Sequence, residues 1–144
     1  MTTLALAVWL HALPTRPCTR STAAVVARVA LRVAPRYGVA PRLLALVACY
    51  ESRGRRSVVY RNRNGSCDIG RWQVNCPRCS IACRERYLPD HRNAGRAARI
   101  LRAGRWVCKR KPGLWYCRQG RPHCRYNGGS RRWCANVTRM WRER

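Results

Sequence analysis

The sequence predicts a mainly α-helical domain with a minor β element. Three observations carry that expectation: apolar stretches at helical spacing bounded by cap-like residues, one short β-rich run beside an Asn-Arg-Asn-Gly turn, and ten cysteines spread through 144 residues. A chain of this length supports one hydrophobic core and is short for two.

Residues 1–20 contain an apolar run from Leu4 to Leu10 with no basic residue ahead of it. They read as an atypical or truncated signal segment or simply as a first helix, with 21–144 as the folded domain. Ser21 is placed to cap a helix over 22–34, where Ala23, Val26, Ala30 and Val33 recur opposite Arg28 and Arg32, and Pro35 ends it. Pro41 suits the first position of a second helix, "PRLLALVACYES", apolar nearly all round as a buried element should be and stopped by Gly54. "SVVY" and the turn "NRNG" form a small hairpin region. Short helices follow over 77–87 and 93–103, then an irregular disulfide-held stretch over 104–129 and a final helix over 130–141.

The charge is extreme. Thirty-one basic residues face five acidic ones, a formal +26, and all the basic residues except Lys109 and Lys111 are arginine. Guanidinium forks suit phosphate and carboxylate, so nonspecific binding to polyanions is expected of nucleic acid, anionic lipid or an acidic wall polymer. No run approaches the eighteen or so apolar residues of a membrane span, so no transmembrane segment is expected. The ten cysteines fit up to five disulfides in an oxidising compartment. The rival is zinc, since Cys76, Cys79, Cys83 and the pair His123-Cys124 have ligand-like spacing, and spacing alone assigns no disulfide partners.

Among the five acids, Glu51 is singular. Helical spacing sets it at the end of the stripe formed by Leu44, Val47 and Ala48, in the last turn of the second predicted helix. Burial and the negative end of the helix dipole both disfavour its charged form, which suits a general acid. The plainer alternative is an ion pair with Arg53, Arg55 or Arg56.

"YGVAPRLLALVACYESRG", "NRNGSCDIGRWQVN", "NAGRAARIL" and "RYNGG" follow one another over 37–141 in an order and spacing that resembles the soluble lytic transglycosylases of the lysozyme-like superfamily. The likeness is greatest to the small wall-remodelling enzymes of secretion, invasion and conjugation machines. The resemblance implies an α+β lysozyme-like fold, Glu51 as the single catalytic acid/base and Ser52 completing the Glu-Ser pair. It further implies Gly70 and Gln73 at a Gly-x-x-Gln turn lining the sugar groove, Tyr126 with its hydroxyl near the scissile sugar and Asn127 supporting that wall. The implied reaction cleaves the β-1,4 bond from N-acetylmuramic acid to N-acetylglucosamine in peptidoglycan and closes a 1,6-anhydro ring, without metal or cofactor. Peptidoglycan strands and a secretion or conjugation apparatus would be the partners, in the periplasm or the extracellular wall.

Asp68, among turn residues, is expected to hydrogen-bond backbone amides rather than perform chemistry. Three positions depart from the family pattern: Gly54 where an aromatic is common, Arg71-Trp72 in place of an apolar pair, and Arg125 before Tyr-Asn. Trp72 is open to either reading, a sugar-stacking ring or a filler of the core or cleft wall. A lysozyme-type hydrolase would need a second carboxylate from Asp68, Glu85, Asp90 or Glu143. A module binding nucleic acid or cell wall without catalysis is the rival from another class, motivated by the charge and by interleaved aromatics such as "RWVCKRKPGLWYCR".

Overall fold

The computed structural model describes residues 1–13, 18–128 and 130–142. Residues 14–17 of the first segment, Gly129 of the "RYNGG" motif and the candidate carboxylate Glu143 lie outside them. The described chain is mainly helical, with one small antiparallel sheet.

Helix α1 (Thr3–His11) packs on α2 (Arg20–Val33) and α3 (Pro41–Ser52) and sends Leu6 and Leu10 fully into the core. The first segment is thus a packed helix of the described fold. Thr19, not Ser21, caps α2: its Oγ1 accepts the Thr22 backbone N–H, and the helix begins two residues earlier than expected. A 3-10 turn (Ala34–Tyr37) containing Pro35 closes α2. Helix α3 has the expected bounds, with Pro41 in its first turn and Leu44 to Cys49 all buried. Its C-terminus is turned by two successive left-handed residues, Arg53 (φ 56°) and Gly54 (φ 73°).

The sheet has three strands rather than a single hairpin: β1 (Val59–Arg61), β2 (Cys67–Ile69) and β3 (Val74–Cys76), in that order. Tyr60 pairs with Asp68, and Asp68 with Asn75. Helix α4 (Ile81–Tyr87) starts late, capped by Ser80 Oγ, because Cys67–Cys79 and Cys76–Cys83 tie the preceding residues to the sheet.

Helix α5 (Asp90–Arg110) is far longer than expected and continues through Gly104. That glycine answers to tertiary contact, since a Cβ there would overlap the carbonyl oxygen of Pro122. Only the part after α5 keeps the expected irregular character, through α6 (Trp115–Arg118) and a second 3-10 turn (Pro122–Asn127), before α7 (Arg131–Arg142). The main core joins α1, α2, α3, α5 and α7 around Val26, Leu44, Leu46, Trp72, Ala97, Val137 and Met140.

All ten cysteines are paired: Cys18–Cys49, Cys67–Cys79, Cys76–Cys83, Cys108–Cys117 and Cys124–Cys134. The sulfurs that the zinc alternative required are thereby spent, including the Cys124–Cys134 pair beside His123. Five disulfides in a chain this small are the signature of folding in an oxidising compartment. No helix among the described residues is long and apolar enough to cross a membrane.

Candidate functional site

Glu51 is half-buried in the last turn of α3, and the chain around it is stitched to the turn Gly70-Arg71-Trp72-Gln73. The Ser52 hydroxyl donates to the Arg71 carbonyl at 2.7 Å. The Arg71 guanidinium donates back to the Gly54 carbonyl and, at 2.9 Å, to Asp90 Oδ1. Ser52 is therefore buried behind the site, where it joins the acid-bearing helix end to the turn instead of facing a ligand.

Gly54 has no room for an aromatic side chain: a Cβ would lie 2.8 Å from Cys18 Sγ and 2.9 Å from Thr22 Oγ1. Arg71, itself buried, takes the neighbouring space and pairs with the half-buried Asp90. Trp72 is fully buried, its indole N–H donating to the Leu44 carbonyl at 2.7 Å, so it belongs to the core and not to a sugar-stacking wall.

The turn itself is held from α5. Asn93 accepts the Trp72 backbone N–H through Oδ1 at 2.9 Å and donates through Nδ2 to the Ile69 carbonyl at 2.8 Å. Gly70 (φ 74°) presses against that same amide, where a Cβ would lie 2.9 Å from Asn93 Nδ2, and it is buried. Gln73 alone of the turn reaches the cleft. Its Nε2 donates to the carbonyls of Gly70 (2.8 Å) and Val58 (3.2 Å), so Oε1 is what it can offer a ligand.

Across the cleft, the Tyr126 hydroxyl donates to the Trp72 carbonyl. Its ring stacks on Trp133 at 5.6 Å with planes 16° apart. Burial holds the phenol well above its ordinary pKa of 10, and the charges of Glu51 and Asp68 add to this, so Tyr126 remains a donor. The Trp133 indole N–H donates to Glu51 Oε1 at 2.6 Å, and Tyr50 meets that indole edge-on at 6.1 Å. Asn136 Nδ2 holds the Tyr50 hydroxyl at 2.9 Å.

Trp133, Tyr50, Asn93 and Asn136 were not singled out from the sequence. The available signal for Trp133 was its place in the first turn of α7, on one helical stripe with Val137 and Met140. Of the arginines near Glu51 in sequence, Arg55 Nε donates to the Ser52 carbonyl (3.1 Å) and Arg56 Nε to the Leu88 carbonyl (3.3 Å).

Two recesses meet at Glu51. One, of about 540 Å³, runs along the sheet past Tyr60, Asp68, Gln73 and Tyr126. The other, of about 460 Å³, runs along α7 past Arg132, Trp133, Asn136 and Arg139. Glu51 and the exposed Asn127 line both. Asp68 is bound by side-chain amides instead of the expected backbone ones, Oδ1 accepting from Asn75 at 2.8 Å and Oδ2 from Asn62 at 3.1 Å. Glu85 is exposed on α4, and Asp90 is committed to Arg71.

The arginine and aromatic interleaving over 105–118 lies at the end of α5 and in α6, clipped by Cys108–Cys117. There Arg110 covers the exposed Trp106 ring at 4.7 Å and Arg131 covers Trp115 at 5.7 Å. No family model, curated protein or solved structure matches the chain.

Proposed function

We propose that the protein is a lytic transglycosylase acting on peptidoglycan, with Glu51 as its acid/base. The observation that carries this reading is the position of Glu51 at the junction of two recesses, its carboxyl oriented by the Trp133 indole. On this reading a glycan strand lies through both recesses with its glycosidic oxygen at that carboxyl, since Glu51 lines both.

Glu51 gives its proton to the leaving oxygen as the bond to the muramic C1 breaks, and the substrate's own acetamido group stabilises the cation-like carbon. The resulting carboxylate then takes the proton of the muramic C6 hydroxyl, whose oxygen closes on C1. The reaction ends with a 1,6-anhydro sugar, Glu51 is reprotonated, and no water is consumed. One carboxyl suffices, whereas the usual hydrolytic routes employ two. Gln73 Oε1 and Asn127 are available to sugar hydroxyl and amide groups, and Tyr126 keeps the turn and the aromatic stack in register. The positive surface supports dwelling on an anionic wall in the periplasm or outside the cell.

Hydrolysis is the second reading, favoured by one observation: Asp68 lines the same recess as Glu51. Against it stands the engagement of both Asp68 oxygens by asparagine amides. Mass spectrometry of digested peptidoglycan separates the two. Anhydro-ended products, reduced about 10²- to 10⁴-fold by Glu51→Gln, are the expected result. Reducing ends would establish a hydrolase, and an inactive folded wild-type protein would remove the enzymatic reading.

A further inference from the structure

A separate recess of about 480 Å³ lies at the other end of α5, lined by Val33 and Tyr37 and by residues of α4 and the first turns of α5. Five arginines converge on it: Arg36 from the 3-10 turn, Arg86 from α4, and Arg92, Arg96 and Arg99 from α5. The last three recur at i, i+4 and i+7 and so share one helical face. The other two are brought to that face only by tertiary packing.

Two of the guanidiniums are backed by rings. Arg99 lies over Tyr37 at 5.6 Å, and Arg86 over Tyr87 at 5.9 Å. The absence of a side chain at Gly95 lets Tyr37 lie against α5 as the floor, since a Cβ there would already be 3.1 Å from the Tyr37 hydroxyl. Among the described residues lining the recess there is no carboxylate. The nearest acids in sequence are occupied or directed elsewhere: Asp90 is paired with Arg71, and Glu85 is exposed on α4 outside the lining.

We infer that this recess is a binding site for a compact, multiply charged phosphate anion, of the condensed-phosphate or clustered phosphate-ester kind. Its volume falls within the range of about 300–1,000 Å³ usual for small-ligand sites. A single carboxylate would engage one or two forks and neutralise one charge of the five. Condensed phosphates place a charge on every unit and match each fork bidentately. The inference is independent of the peptidoglycan reading, because no residue of this recess lines either cleft at Glu51.

Isothermal titration with inorganic tripolyphosphate at an ionic strength of about 0.15 M tests it, where exposed charges farther apart than the screening length contribute little. The wild-type chain should bind one equivalent saturably. The triple variant Arg92→Ser/Arg96→Ser/Arg99→Ser and the double variant Arg36→Ser/Arg86→Ser should each weaken it about tenfold or more, with unchanged far-UV circular dichroism. A control of equal charge loss, Arg20→Ser/Arg28→Ser/Arg102→Ser, should bind as wild type. Equal weakening in the control, or no saturable stoichiometry, would reduce the effect to net charge and overturn the site. A single-stranded oligonucleotide that displaces tripolyphosphate from the same site and binds it more tightly would overturn the compact ligand in favour of a nucleic-acid strand.

Discussion

The Trp133 indole N–H donates to Glu51 Oε1 at 2.6 Å across 82 residues of sequence, joining the first turn of α7 to the last turn of α3. This bond fixes the direction of the carboxyl. Replacing Trp133 with Phe removes the donor while keeping an aromatic ring against Tyr126. Because a hydrogen bond to a charged group is worth about 1.5–3 kcal/mol, the proposed transglycosylase reaction requires that Trp133→Phe lower kcat about ten- to hundredfold with little change in KM. Release of soluble muropeptides measures it, with thermal melts to show that the fold persists. An unchanged kcat would mean that the indole does not orient the acid.

Tyr126 offers a test that needs no substrate. Burial first, and the charges of Glu51 and Asp68 second, hold the Tyr126 phenol well above 10. Ultraviolet titration to about pH 11, past the ordinary tyrosine pKa, should therefore give the same tyrosinate absorbance for wild type and Tyr126→Phe. A smaller signal in the variant would show that the hydroxyl ionises freely.

His123 should leave its mark on acid stability. Burial, with Arg121 adding, lowers its pKa from 6.5 to about 4, and its Nε2 lies 3.0 Å from Thr138 Oγ1. The folded state thus holds the imidazole neutral while the unfolded state protonates it near its ordinary pKa. The stabilising contribution is complete above about pH 6.5, declines as pH falls and is gone below about 4. Calorimetric Tm values for wild type and His123→Gln should converge across that window as pH falls. Parallel curves would count against the buried neutral imidazole.

The Cys18–Cys49 disulfide closes a loop of 31 residues and lies two positions before Glu51. The chain-entropy relation gives about 3–4 kcal/mol for such a loop. Cys18→Ser/Cys49→Ser should lower the unfolding free energy by that order in urea. A loss below about 1 kcal/mol would show that packing of α1 alone holds this segment.

Legibility in the sequence followed the range of the interaction. Helix α3 was readable to the residue because proline at its start, apolar residues all round and the Gly54 stop are local, while the left-handed turn at Arg53 was not foreseen. Helix α5 was cut short at Gly104 because local propensity treats glycine as a breaker, while the position is set by Pro122 lying across it. The ladder of Glu51, Trp133 and Tyr126 spans α3, α7 and the intervening 3-10 turn, so no window of sequence contained it. The departures at Gly54 and Arg71 also became intelligible only together, as a glycine crowded by Cys18 and an arginine that bonds its carbonyl. Disulfide partners belong to the same class, since spacing counts cysteines but does not bring them together.

The hydrogen bonds among Ser52, Arg71 and Gly54 tie the helix end to the turn carrying Gln73. A ligand arriving between them meets a floor whose conformational entropy was surrendered when the protein folded. Affinity on that side should therefore depend on the contacts a ligand makes and hardly on reorganisation. Discrimination between ligands would then follow shape, since a floor that does not yield cannot adapt to a ligand that misses it by an ångström or so.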